Sequence, residues 1–183
     1  MRGLAGTLPH IGTETAQMDR TEQVKQDHVA AWWAVVGVVL LFGNAAWRLG
    51  ARGIETVASG LSAVEWLVLA GVTAVFVYGE GVRALQMKYI PRLLQRVTAV
   101  RGEQRLLPRV LAPLYALMLV YAPTGTLVRA WAGIAAITLA VIVIRGFAEP
   151  WRGIIDFGVA AALAWATLVL VVRAFGMLGD RTP

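Results

Sequence analysis

The chain has 183 residues, 58% hydrophobic and 15% charged, whereas soluble domains run near half apolar and a quarter charged. Cys is absent and His occurs only at positions 10 and 28, which excludes disulfide scaffolds, zinc ribbons, iron–sulfur clusters and thiol nucleophiles. The net charge of +6 rests on 17 basic residues, 15 of them Arg. In so apolar a chain that charge points to a membrane surface, and nucleic acid is not expected as a partner.

In chain order, residues 1–20 lack an apolar period and are expected as a flexible tail without a secretory signal pattern. Val29–Trp47 is uncharged for 19 residues, long enough to cross a bilayer, and Asp19 and Glu22 are placed to cap a helix leading into it. Ser62-Ala63-Val64-Glu65 reads as a capping box that opens a second apolar run to Val82, with helix propensity lasting to Tyr89 and a break expected at Pro91. Arg83–Arg109 carries seven Lys or Arg and one acid, Glu103. Within it Leu93, Leu94, Val97 and Val100 share one side of Arg92–Val100, which predicts an amphipathic helix on the membrane surface, with the 83–109 stretch facing anionic lipid headgroups. Val110–Val128 is again uncharged, but Pro113 and the turn signal Pro123-Thr124-Gly125-Thr126 divide it into two short spans forming a hairpin. Pro150 suits the first turn of a last helix, Trp151–Ala174.

The expected fold is therefore an all-α polytopic transmembrane bundle with spans 29–47, 62–82, 107–121, 127–144 and 153–173, a basic loop 83–106 and a C-terminal tail 176–183. If the short, proline-bearing 107–121 segment does not cross, the count is four. With five spans, the N-terminal tail, 83–109 and 145–152 share one side and gather 12 of the 17 basic residues. The positive-inside rule then puts the N-terminus in the cytoplasm and the C-terminus outside.

Depth decides how the ionisable residues are read. Glu65 belongs to its cap, and the other charges fall near helix ends, so the bilayer centre is left to Asn44, Thr73, Tyr115, Thr138, Trp165 and Thr167. A proton relay usually keeps a carboxylate or His near the midplane. The expected polar site lies at the cytoplasmic ends of the second and fifth spans, where Glu80, Arg83 and Gln86 meet Arg145, Glu149, Arg152 and Asp156. It serves either as an ion-paired latch or as an anionic-headgroup site with Arg83 and Arg152 as the fork donors. Arg152 and Asp156 are four apart and placed to pair. Tyr115 and Trp165 are candidates to line an intramembrane pocket.

Gly60-Leu61-Ser62 matches part of a serine-nucleophile motif, but no His inside a span can act as its base. No catalytic residue, metal or cofactor is expected. Ala132, Ala136 and Ala140 form one ridge of small residues, and Gly158, Ala162 and Ala166 another. This spacing predicts close packing within the 127–173 hairpin, or a surface there for a partner helix or a second copy.

Tyr78-Gly79-Glu80-Gly81, Leu85-Gln86 and Pro91-Arg92, followed by Pro150-Trp151-Arg152-Gly153-Ile154, Asp156 and Gly158, resemble a pattern in small multi-pass inner-membrane proteins of bacteria. The resemblance covers residues 78–158 and implies a bacterial membrane family, but no activity. The expected function is that of a non-enzymatic accessory or lipid-associated membrane component. The alternatives are an oligomeric small-solute transporter or channel, and an enzyme acting on lipid headgroups.

Overall fold

The computed structural model describes residues 10–100, 111–120 and 123–179, and the side-chain surroundings of residues 28–98, 111–120 and 123–177. Among them there is no strand. Helix α1 (His10–Ala58) is followed by α2 (Ala63–Phe76), a π-helical segment (Val77–Tyr89), α3 (Ile90–Val100), the short α4 (Ala112–Ala116), α5 (Thr124–Arg145) and α6 (Trp151–Gly179).

Among the described residues, four helical stretches are long and apolar enough to cross a membrane: His28–Ala58, Ala63–Thr98, Thr124–Arg145 and Trp151–Met177. The expected span 107–121 is not among them. Its residues 107–110 and 121 lie outside the described residues, and the remainder holds the five-residue α4, about 7.5 Å long at 1.5 Å per residue. Pro113 sits in the first turn of α4, and Met118 just beyond its end has a φ of 62°. A non-glycine residue in that left-handed region cannot propagate a right-handed helix.

α1 begins at His10, so residues 10–20 of the expected tail are helical, and Asp19 and Glu22 lie inside the helix instead of capping it. α1 ends at Ala58, where Gly60 at φ +91° turns the chain. The capping box then forms as expected: Ser62 Oγ accepts from Glu65 N–H at 3.4 Å, and Ser62 N–H donates to Glu65 Oε2 at 2.7 Å.

No break follows at Pro91. α2, the π segment and α3 run on as one helical rod from Ala63 to Val100. In an α-helix the Pro91 ring would meet the carbonyl of Met87. The i→i+5 turns just before it, seen where Ile90 N–H bonds to Leu85 O, widen the helix and carry the chain through. The apolar stripe of α3 is as read, but its partner is protein: Leu93, Leu94 and Val97 are buried with Ala31, Ala34, Val35 and Val38 of α1, Ala112 and Ala116 of α4, and Leu170 and Ala174 of α6. The segment 83–100 is thus part of the bundle and not a surface loop.

α1 and α6 form the antiparallel spine. Near the 59–62 turn, a Cβ on Gly153 would collide with Thr56, and one on Gly53 would come within 2.6 Å of Phe157 Cβ. At the other end the Trp32 and Phe175 rings lie 5.1 Å apart. The rod from Ala63 packs parallel to α6: Gly158 faces Val72 and Phe76, and Gly81 faces Ala162 and Trp165. The ridge Gly158, Ala162 and Ala166 is therefore a close-packing surface, but for the second span. α5 stands apart, and none of its residues is buried.

Candidate functional site

The antiparallel spine fixes which residues share an end. The turn after α1 and the connection before α6 come together, tied by Thr56 Oγ1 donating to Glu149 Oε2 at 3.2 Å. Glu149, Arg152 and Asp156 belong to this turn end. Glu80, Arg83 and Gln86 lie further along the second span, in the π segment beside Ala162 and Trp165. The seven residues expected to form one polar cluster are thus divided between two places. A π turn is also longer than 3.6 residues, so the three-residue spacing of Glu80, Arg83 and Gln86 does not stack them as it would in an α-helix.

Of the expected set, Arg145, Arg152 and Asp156 do come together. They line a cavity of about 420 Å³ between α1, α5 and α6, joined there by Asn44, Arg48 and Arg52 of α1. Asn44, Arg48 and Arg52 recur every four residues, so they occupy one face of α1. Arg152 and Asp156 project from the first turns of α6, and Arg145 closes the last turn of α5. Leu41, Val141 and Val159 supply apolar wall.

Four arginines and one aspartate therefore line one cavity. Asp156 is 6% exposed, and its Oδ2 is buried without a hydrogen-bond partner. The expected Arg152–Asp156 ion pair does not satisfy Oδ2. Arg side chains hold phosphate through parallel N–H donors in a fixed fork, which makes such a cavity suited to a phosphate group.

Arg48 and Arg52 are the members that sequence reading missed. Their four-residue spacing with Asn44 was visible, but five spans place them on the side opposite 145–152. Four spans unite the two groups.

Tyr115 and Trp165 hold different partners. Arg96 donates to the Tyr115 carbonyl at 3.3 Å and lies 5.0 Å above its ring. Trp165 Nε1–H donates to Gln86 Oε1 at 2.9 Å, which links the π segment to α6. Among the described residues, no three His, Asp or Glu side chains gather where they could hold a metal ion. No family model, curated protein or solved structure gives a significant match to this chain.

Proposed function

We propose that this is a non-enzymatic, multi-pass protein of a bacterial inner membrane that holds the phosphate of a lipid headgroup in the cavity between α1, α5 and α6. The observation that carries this reading is the convergence of Arg48, Arg52, Arg145 and Arg152 on one cavity with apolar wall beside them.

Four crossings put both ends of the chain on the same side. The tail, the 99–123 connection, the C-terminus and the adjoining helix ends then carry 12 of the 17 basic residues. That side is the cytoplasm by the positive-inside rule, and exposed Lys88 and Arg92 there face the headgroups of the inner leaflet. The C-terminus is then cytoplasmic, against the expectation from five spans. The four cavity arginines lie on the opposite face, where such charge is disfavoured, and a bound anion offsets that cost. Their place at the ends of the apolar runs, beside Trp47 and Trp151, suits the interfacial layer where phosphates reside.

The test is native mass spectrometry of the protein released from nanodiscs containing phosphatidylglycerol. Retained phospholipid is expected to fall by about tenfold or more in Arg52→Gln and in Arg145→Gln, the size of a hydrogen bond to a charged group. Arg129→Gln, at the start of α5, should leave it unchanged. Absence of retained phospholipid, or equal loss in all three variants, overturns the reading.

A further inference from the structure

Four arginines exceed what one phosphodiester can neutralise. Arg48, Arg52 and Arg145 are exposed and Arg152 is half-buried, so a ligand in the cavity has access to them. Asp156, 6% exposed, is the one acid among the lining residues and offsets at most one of those charges. At least three positive charges therefore remain, and a single phosphodiester carries one negative charge. Like charges gathered beside an apolar wall repel more strongly than they do in water. The excess favours a ligand with a second anionic group.

The arginines come from two walls of the cavity. Arg48 and Arg52 are one turn apart on α1, about 6 Å along its axis at 1.5 Å per residue. Arg145 and Arg152 belong to the end of α5 and the start of α6. Leu41 and Val141 line the same cavity one to two turns deeper in their spans, on the side where acyl chains run. We infer that the cavity holds a phospholipid with two phosphates joined through one glycerol, the α1 pair taking one phosphate and the Arg145–Arg152 pair the other. This rests on the phosphate reading above and sets how many phosphates the ligand carries. The fork of an Arg side chain suits each phosphate, and the glycerol link lets the two reach opposite walls.

The experiment loads the full chain into nanodiscs containing equal amounts of phosphatidylglycerol, acyl-phosphatidylglycerol, monolysocardiolipin and cardiolipin, and reads retained lipid by native mass spectrometry. Acyl-phosphatidylglycerol and monolysocardiolipin both have three acyl chains, but one phosphate and two respectively. The unaltered protein should hold monolysocardiolipin about tenfold or more over acyl-phosphatidylglycerol. The double variant Arg48→Gln, Arg52→Gln keeps one pair and should bring that ratio close to one; an unchanged ratio overturns the inference. Undecaprenyl diphosphate added in equal amount should leave the cardiolipins bound. Displacement by it would mean adjacent phosphates and overturn the glycerol-linked form. If the two three-chain lipids are held equally by the unaltered protein, and Arg52→Gln still weakens phosphatidylglycerol, the two-phosphate inference fails and the phosphate reading survives. If no phospholipid is held, both fail. Should the double variant not fold, the lipid series on the unaltered protein decides alone.

Discussion

Gly53 and Gly153 mark where the spine is tightest, one on each helix and about a turn apart along the contact. Neither tolerates a side chain, because Phe157 and Thr56 already occupy the space. Gly153→Ala is therefore expected to destabilise the protein by about 1–3 kcal/mol, the cost of overpacking. Gly133→Ala in α5, where a Cβ meets nothing within 4 Å, should be silent or slightly stabilising. Thermal unfolding in detergent compares the two. At Ser62 the Oγ contact is long and exposed, and Ser62→Ala should cost about 1 kcal/mol at most in the same assay. That capping box was readable because it is complete within four consecutive residues. The cavity beside Asp156 was not, since it depends on where three separate helices bring their arginines.

Periodicity identified the faces of the helices, but not what covers them. The stripe Leu93, Leu94 and Val97 has the amphipathic pattern of a surface helix, yet α1, α4 and α6 cover it. Within a membrane a lipid-facing and a protein-facing apolar stripe look alike in composition. The ridges of small residues carry the same ambiguity. Gly158, Ala162 and Ala166 are buried, while Ala132, Ala136 and Ala140 on α5 are exposed. Ala162→Leu should thus lower stability by about 1–3 kcal/mol, whereas Ala136→Leu should leave thermal unfolding unchanged. Equal effects would mean that α5 packs as tightly as α6. The Trp165–Gln86 bond ties the π segment to α6, and a double-mutant cycle on Trp165→Phe and Gln86→Leu should return a coupling of about 0.6 kcal/mol.

For the molecule as a whole, parity mattered most. The uncharged 19-residue run at Val29–Trp47 is visible without a structure, and so are the last two spans. The status of 107–121 is not, because its apolar composition satisfies a span while its prolines and the stop at Met118 do not. Losing one span moved 145–152 to the other side of the bundle and assembled the arginine cavity from two groups that the five-span count had separated. The absence of Cys makes this directly testable. Ser59→Cys in the exposed turn should react with an impermeant maleimide from outside intact cells, and Thr124→Cys at the exposed start of α5 only after lysis. The reverse pattern would invert the proposed orientation. The length of α1 has a separate mechanical implication. Its 49 residues extend about 73 Å, against a hydrocarbon core of about 30 Å. The 18 residues from 10 to 27 continue the first span as an arm about 27 Å long. A tilt of the bundle by about 10° would sweep the arm's tip sideways by about 5 Å, a displacement at residue 10 set by how the helices lean in the bilayer.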